Sequence, residues 1–319
     1  MLRGTASARV PELPEVEVVR LGLAPAVTDA LVTGVEVIDS RALTRHDGDA
    51  RDFETRLSGR RILGAARRGK FLWMPLGTVA GAPTGEHPEA LVAHLGMSGQ
   101  MLLRAPGAMR DDGTDKHLRV RLGLEHPEHG ELEIDFVDQR TFGSLALDAL
   151  VPTIDGRPAG WGAAEPLVPS QVAHIARDPL DPAFDDALLR AVLARKDSAI
   201  KRVLLDQTVL SGVGNIYADE SLWAARIHPS TPAAALSTRA ANRLLAEVRA
   251  VLEKALAEGG TSFDAQYVNV NGQAGYFAHS LNAYGRGGEP CPRCGAPIVR
   301  DAFMNRSSHF CPRCQRIRQ

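Results

Sequence analysis

The sequence predicts an α+β protein of several domains, and three observations carry that prediction. Short apolar runs separated by Gly, Pro, Asp and Asn continue to about residue 150, which is typical of antiparallel strands. From residue 183 the apolar residues recur with helical spacing. Two Cys-x-x-Cys pairs then close the chain. At 319 residues with 44% hydrophobic content, the chain can bury the cores of two or three domains.

The strand-rich domain is predicted over residues 11–150 and begins with a helix. Residues 11–17 read PELPEVE and lead into an apolar run suited to a helix. The segment GAPTGEHPEA is polar and rich in turn formers, so we expect an exposed loop there. The predicted strands lie in six runs: VTGVEVID, RRILGAARRGKFLWMPL, ALVAHLGMSGQMLLR, LRVRLGLE, ELEIDFVD and SLALDAL.

Residues 151–182 are rich in Pro and Gly and are interpreted as a linker, and residues 183–285 as a mostly helical domain. Within the helical domain, Gly212–Gly214 separate two helical patterns, with Asn215 predicted as the N-cap of the second. A glycine turn that opens onto a helix exposes backbone N–H groups that can hold a phosphate. An ordinary corner between two helices explains the same pattern. Four runs predict the helices: DDALLRAVLARK, SAIKRVLLDQTVL, NIYADESLWAARI and STRAANRLLAEVRAVLEKALAEGG.

The last predicted domain, residues 286–319, contains all four cysteines of the chain: Cys291, Cys294, Cys311 and Cys314. Their spacing fits two zinc knuckles, since two close pairs suit tetrahedral thiolate coordination. Disulfide bonds are the alternative, but a chain of this size needs no covalent staples and nothing in it resembles a secretory signal. Four thiolates leave no open coordination position, so we expect one structural Zn²⁺.

The formal net charge of −1 excludes a uniformly basic protein, but local basic patches are enough to hold a phosphate backbone. A solvated protein face explains the first of the two patches equally well. No apolar run approaches membrane-span length, and we expect a soluble, intracellular protein. The two patches comprise Arg60, Arg61, Arg67, Arg68 and Lys70, and Arg286, Arg293, Arg300, Arg306, Arg313, Arg316 and Arg318.

Five motifs in this order, PELPEVE, RRGKFL, HLGMSG, LSGVGNIYADESL and NRSSHFCPRCQ, resemble the formamidopyrimidine-DNA glycosylases, bacterial enzymes that excise oxidised purines. The resemblance extends from residue 11 to the end of the chain. It implies an N-terminal β-sandwich flanked by helices, a helix–two-turn–helix domain and a C-terminal zinc finger built on a β-hairpin. It also implies a cytoplasmic monomer that binds damaged double-stranded DNA between its domains and uses no organic cofactor.

By the same resemblance, four residues carry the chemistry. Pro11 is the nucleophile that attacks the sugar C1′ and remains as a Schiff base, and Glu12 protonates the sugar ring oxygen. Lys70 contacts phosphate beside the lesion and aids base removal, and Arg306 grips the phosphates that flank the damage. A terminal amine suits this attack because its pKa is about 2.5 below that of a lysine, so it is more often unprotonated near neutral pH.

The resemblance assigns further residues to DNA binding. Asn215 contacts phosphate, and Lys201 lies near the site. Met97, Arg140 and Phe142 match the family's trio that fills the gap left by a flipped base. A lone Met or Phe is more often core packing, and that alternative applies to Met97 and Phe142. Residues 259–286 resemble the family's base-recognition loop.

Residues 1–10 form an extension that blocks the proposed nucleophile, because an internal proline nitrogen is a tertiary amide. The extension is faintly like a transit peptide but short for one. We favour a misassigned start, since a GTG-type valine codon at Val10 could initiate translation, after which removal of methionine leaves Pro11 first. On that hypothesis the functional chain begins at Pro11.

Three functions therefore compete. The favoured one is a glycosylase and AP lyase that removes 8-oxoguanine and formamidopyrimidines and cleaves the strand by β,δ-elimination. The second is an endonuclease VIII-like glycosylase for oxidised pyrimidines, against which the PELPEVE start argues. The third is a zinc-finger protein that binds damaged DNA without catalysis, as the chain would do if residues 1–10 are retained.

Overall fold

The computed structural model describes residues 11–77, 88–107, 115–261, 270 and 276–317. The extension 1–10, most of the segment GAPTGEHPEA, and residues 262–269 and 271–275 of the proposed base-recognition loop lie outside these residues. The described chain forms two compact units, the first mainly residues 15–173 and the second mainly residues 174–317. Residues Glu12–Pro14 belong to the second unit, although Pro11 before them and residue 15 after them belong to the first.

The first unit contains two antiparallel sheets, as the alternating runs predicted. One sheet has the strand order β1-β6-β7-β5 and the other β2-β3-β4-β8-β9. Their strands are β1 (Leu31–Val37), β2 (Ala66–Arg68), β3 (Phe71–Leu76), β4 (Glu89–His94), β5 (Gly99–Arg104), β6 (Leu118–His126), β7 (Gly130–Asp138), β8 (Ser144–Pro152) and β9 (Leu167–Pro169).

A continuous apolar core lies under both sheets and two helices, which makes the first unit a β-sandwich flanked by helices. Helix α1 (Leu13–Val27) buries one face at Val16, Val19 and Leu23, with the three- and four-residue spacing of a helix. Helix α2 (Ala50–Leu57) was not predicted from the sequence. Two features of the sequence could have predicted it: Asp49, whose side chain caps the N-terminus of the helix, and the apolar residues within it.

The predicted linker, residues 151–182, contains regular structure. Strand β9 pairs with the end of β8 at Val151↔Val168, so part of the segment belongs to the second sheet. The units divide at residues 173 and 174. Pro and Gly marked the turns on either side of β9 but did not reveal a strand of three residues.

The second unit is helical and ends in a two-stranded ribbon, as predicted. Its helices pack around an apolar core. The buried residues recur along the sequence with the 3.6-residue period of an α-helix, which is why these helices could be predicted. Among the described residues, no helix is both long and apolar enough to cross a membrane. The elements are α3 (Asp186–Leu193), α4 (Ile200–Leu205), α5 (Asn215–Ala224), α6 (Thr238–Ala257), β10 (Val299–Phe303) and β11 (Arg306–Phe310).

Candidate functional site

The carboxylate of Glu12 lies at the N-terminus of α5. It accepts hydrogen bonds from the backbone N–H groups of Gly214 (2.8 Å), Ile216 (3.2 Å) and Tyr217 (3.4 Å). The first-turn N–H groups of a helix have no partners within the helix and carry its positive dipole end, so they stabilise an anion. The anion-binding turn predicted from the sequence therefore holds a carboxylate of the chain itself. Pro11, which is buried, precedes Glu12 directly.

Two glycines allow the N-terminal segment to approach this turn. A Cβ on Gly214 would lie 2.2 Å from the Glu12 carboxyl group, and one on Gly212 would lie 2.6 Å from the Leu13 side chain. Gly212 also has a φ of +84°, and its carbonyl accepts the Leu13 N–H at 3.0 Å. The prediction of Asn215 as N-cap is wrong, because α5 begins at Asn215 and the Gly214 cap position has no side chain to offer. Glu12 supplies the hydrogen bonds of the cap from far away in sequence.

Lys70 lies in the tight turn between β2 and β3, and a buried ionic network fixes that turn. The Arg67 guanidinium donates to the carbonyl of Gly69 (3.1 Å) and to the carboxylate of Glu17 on α1 (2.7 Å). Glu17 also accepts from Arg20, at 2.7 Å. Burial raises the pKa of the Glu17 carboxyl, but hydrogen bonds from Arg20 and the charge of Arg67 outweigh it and leave the pKa below its usual value. The first basic patch is thus not merely a solvated face, since Arg67 is 1% exposed.

His94, at the end of β4, was not selected from the sequence although it opens the HLGMSG motif. Burial, together with the positive charges of Arg45 and Lys70, lowers the pKa of His94 to about 4. Its Nδ1 accepts the backbone N–H of Gly96 at 3.2 Å, which places the proton of the neutral ring on Nε2. His94 is therefore a neutral hydrogen-bond donor in the electrostatic field of Lys70.

The three residues predicted to fill a DNA gap lie on two loops of the first unit. Met97 is in the turn between β4 and β5 and is partly buried. Arg140 and Phe142 are in the loop between β7 and β8, and both are exposed, Phe142 to 59%. Phe142 therefore does not pack in the core, which was the alternative for it.

The buried carboxylate of Asp138 ties these two loops together. It accepts from the Ser98 hydroxyl (2.5 Å), next to Met97, and from the backbone N–H groups of Arg140 (3.0 Å) and Gly143 (2.7 Å). Asp138 begins the stretch DQRTFG, which contains Arg140 and Phe142, but its part in joining the loops depends on a contact 40 residues away in sequence. Sequence reasoning missed it.

In the second unit, Arg306 begins β11 and its side chain is exposed. The backbone of the next residue, Ser307, is fixed by two hydrogen bonds. Its carbonyl accepts from the side chains of Lys201 (3.1 Å) and Asn215 (3.1 Å). Lys201 is completely buried and also donates to Asp219 at 2.6 Å. Burial lowers the pKa of Lys201 below its usual value, although the Asp219 carboxylate acts in the opposite direction. Both predicted DNA-binding residues support the strand that carries Arg306.

The four predicted zinc ligands converge at the base of the β10–β11 ribbon. Their sulfur atoms all lie within 4.8 Å of one another, close to the separation of about 3.8 Å that a tetrahedral Zn²⁺ with Zn–S bonds of about 2.3 Å imposes. None of the four forms a disulfide bond. The indole N–H of Trp223, on α5, points to the Cys291 sulfur at 3.5 Å, and Arg293 stacks over the Trp223 ring. The cysteines therefore hold one structural zinc ion.

Three family models match the chain in succession. They are described as the formamidopyrimidine-DNA glycosylase N-terminal domain over residues 10–145, the formamidopyrimidine-DNA glycosylase H2TH domain over residues 175–266, and a zinc finger found in FPG and IleRS over residues 288–317.

Similar proteins include the formamidopyrimidine-DNA glycosylase of Leifsonia xyli subsp. xyli, which is 66% identical over 97% of this chain and 100% of its own length. The corresponding protein of Thermobifida fusca is 53% identical over 96% of this chain and 97% of its own length.

Solved structures of Lactococcus lactis Fpg are similar in fold. A complex with DNA that contains an abasic site has a TM-score of 0.75 and 29% identity, and covers 96% of this chain and 99% of that one. A mutant of the same protein in complex with Fapy-dG DNA has a TM-score of 0.76 and 30% identity, covering 96% and 100%. The wild-type protein has also been solved with DNA that contains an oxidised pyrimidine, at 29% identity and a TM-score of 0.75, covering 96% and 100%.

Proposed function

This chain belongs to the formamidopyrimidine-DNA glycosylase family, and on that premise we propose that it excises oxidised purines and then cleaves the DNA strand at the abasic site. The substrates are 8-oxoguanine and formamidopyrimidines in duplex DNA, and the covalent intermediate is a Schiff base on the amine of Pro11. The observation that carries the proposal is the Glu12 carboxylate, which directly follows Pro11 and is fixed by three backbone N–H groups at a helix N-terminus.

The geometry at Glu12 supports a proton shuttle. A carboxylate held by N–H donors at a helix N-terminus is stabilised as the anion, so Glu12 starts the reaction deprotonated. Its place next to Pro11 then allows it to take a proton from the Pro11 ammonium. The free amine then attacks C1′ as the bond to the damaged base breaks, and the departing base takes up the proton that the amine nitrogen loses. Glu12 returns its own proton to the ring oxygen as the sugar opens, which leaves an iminium between the proline nitrogen and C1′. The resulting iminium withdraws electrons, which permits loss of a C2′ proton with departure of the 3′ phosphate. Loss of a C4′ proton with departure of the 5′ phosphate follows, and each phosphate leaves with the electron pair of its C–O bond.

The proposed DNA contacts fall on exposed or semi-exposed side chains of both units. Lys70 and Arg306 offer positive charge to phosphates, and Phe142 offers an exposed apolar side chain. Asn215 and Lys201 act in this proposal mainly through the strand that begins at Arg306.

The nucleophile requires that Pro11 be the first residue of the working protein. The family match begins at residue 10, next to Pro11, which supports a functional start there. The test compares a chain that begins Met-Pro11, from which methionine is removed, with the 319-residue chain. Intact mass of each protein reports the terminus that is present.

Borohydride trapping on a duplex with 8-oxoguanine opposite cytosine then reads out the Schiff base. We expect a covalent adduct from the chain that begins at Pro11 and none from a chain whose mass retains residues 1–10. An adduct formed by the longer chain would exclude Pro11 as the nucleophile. Glu12→Gln, with the same shape but no proton to shuttle, is expected to bind the duplex and form little adduct.

Oxidised pyrimidines are the alternative substrate class for this chain, because a solved relative was crystallised with DNA that contains one. The same trapping assay on a duplex with an oxidised pyrimidine distinguishes the classes. Adduct formation confined to that duplex would favour the second class, and adduct with neither lesion would favour a DNA-binding protein without catalysis.

A further inference from the structure

Helix α5 contains a buried carboxylate, Asp219, that the proposed chemistry does not use. Its side chain is completely shielded from solvent and accepts four hydrogen bonds. One oxygen accepts from Lys201 Nζ (2.6 Å) and the Ser308 hydroxyl (3.1 Å). The other accepts from the backbone N–H of His309 (2.8 Å) and from its ring Nδ1 (3.2 Å). Because a carboxylate only accepts, all four partners donate to it.

The two ribbon residues that donate to Asp219, Ser308 and His309, lie shortly after Arg306 in β11. Ser308 and His309 are tied to Asp219, and the intervening Ser307 carbonyl is tied to Lys201 and Asn215. Arg306 itself pairs with Phe303 across the ribbon at the end next to the turn. A two-stranded ribbon is only marginally stable by itself, so these anchors on α4 and α5 fix the direction in which β11 presents Arg306.

The cost of this arrangement points to a role beyond stability. Burying an ammonium and a carboxylate together loses their hydration, and apolar residues of similar volume often stabilise a protein as well or better. A buried pair in which every hydrogen bond is satisfied instead selects one geometry among several. Here the geometry that is selected is the position of strand β11, which begins at the exposed Arg306.

We propose that Asp219 is a positioning residue for Arg306, acting through Ser308 and His309 to hold the guanidinium where it grips the DNA backbone. This inference rests on the proposed function, in which Arg306 is a phosphate contact. Asp219 touches neither DNA nor the reacting atoms in this scheme.

The test is a double-mutant cycle read by DNA affinity. Asp219→Asn, Arg306→Ala and the double variant are measured, in the full zinc-loaded protein, on a duplex that contains a tetrahydrofuran abasic analogue. We expect each single variant to weaken binding about tenfold, as for one charge-assisted contact, and the double variant to be no weaker than Arg306→Ala. The slope of log affinity against log salt should fall by about one in all three variants.

Controls separate positioning from a general loss of structure. Zinc content and thermal unfolding are measured for every variant. Ser308→Ala removes a single donor to Asp219 and is the milder variant should Asp219→Asn fold poorly, with a few-fold weaker affinity and the same non-additivity expected. Asp186→Asn is the matched control, because it breaks an ion pair of the same unit, with Arg249, that is remote from the ribbon in sequence and partly exposed. We expect Asp186→Asn to leave affinity and salt slope unchanged.

The outcomes distinguish the inference from the function on which it rests. If Arg306→Ala binds normally, the phosphate contact itself is wrong. If Arg306→Ala binds weakly while Asp219→Asn and Ser308→Ala keep normal affinity and slope, only the positioning role is wrong. Additive losses in the double variant would also overturn it.

Discussion

Gly214 shows how much a single residue decides at this site. The Glu12 carboxyl group occupies the space where any larger residue at position 214 would place its Cβ, at 2.2 Å. The φ of Gly214 is −119°, which any residue can adopt, so the need for glycine comes from the close approach and not from the backbone. The anion at the start of α5 and the glycine therefore depend on each other.

Gly214→Ala is expected to displace Glu12 and to reduce base excision by about a hundredfold, since misplacement of a catalytic group by about 1 Å has effects of that size. Single-turnover excision of 8-oxoguanine measures it. Gly34→Ala is the control, because a Cβ there meets nothing within 4 Å, and we expect it to retain activity. Full activity of Gly214→Ala would show that the Glu12 position is unimportant.

His94 should make the stability of the protein depend on pH. The pKa of His94 is lowered from 6.5 to about 4, so between these values the unfolded chain binds a proton that the folded chain does not. Stability is therefore expected to fall as pH falls from about 6.5 to about 4, by up to about 3 kcal/mol.

Urea unfolding at a series of pH values measures this dependence. His94→Gln keeps a polar side chain without a titrating group, so the difference between wild type and variant isolates His94 from other acid-sensitive groups such as Glu17. An identical pH dependence in both proteins would contradict the prediction.

At the scale of elements, α5 is the attachment point of the C-terminal ribbon and its neighbouring loop. Glu220 accepts from the backbone N–H groups of residues 282, 283 and 284, at 2.9, 2.8 and 2.8 Å. Asp219 holds β11, and Trp223 faces the zinc ligand Cys291. Asp219 and Glu220 are buried although they are acidic, because they complete the hydrogen bonds of another segment.

The two loops of the first unit depend on Asp138 in the same way. Asp138→Ala would leave the Ser98 hydroxyl and the N–H of Gly143 without their acceptor, at about 1–3 kcal/mol for each group that stays buried. It would also remove one of the two acceptors of the Arg140 N–H, the other being the Ser98 oxygen at 3.1 Å. We expect lower stability and at least tenfold slower excision, because the loops that present Met97 and Phe142 lose their connection.

Thermal unfolding and single-turnover excision measure these two effects together. Asp49→Ala, which removes the N-cap of α2 in the same unit, is the control for stability alone, with an expected loss of about 1 kcal/mol and unchanged excision. Equal excision by the two variants would show that Asp138 has no role beyond stability.

At the scale of the whole molecule, the zinc ion should be required for one part of the fold and not the rest. The zinc region has a small apolar core, whose buried members are Ala283, Cys291, Ile298 and Cys311. The helices of the second unit share a separate and much larger core. Metal binding supplies the folding free energy that so small a core lacks.

Removal of zinc with a chelator is therefore expected to abolish DNA binding while most helical circular dichroism remains. Binding to the abasic-analogue duplex and far-UV circular dichroism are measured before and after chelation, and readdition of Zn²⁺ should restore affinity. Undiminished affinity of the metal-free protein would contradict the structural role of the ribbon in binding.

Local patterns in the chain were enough to predict the order of domains, the zinc ligands and the motifs of the family. These features are local: strand and helix periods, turn residues and Cys-x-x-Cys spacing act over a few residues, and the motifs are contiguous. Pro11, Glu12, Lys70 and Arg306 could be selected for the same reason.

The surroundings of those residues, in contrast, depend on contacts between segments that are far apart in sequence. Glu12 caps a helix about 200 residues away, Asp138 reaches Ser98 over 40 residues, and Asp219 reaches His309 over 90. A buried carboxylate needs hydrogen-bond donors, and in this protein distant segments of the chain supply them. The spacing of residues in the sequence does not show which segments come together. The contacts that hold the proposed catalytic and DNA-binding groups in place could therefore be found only in the folded chain.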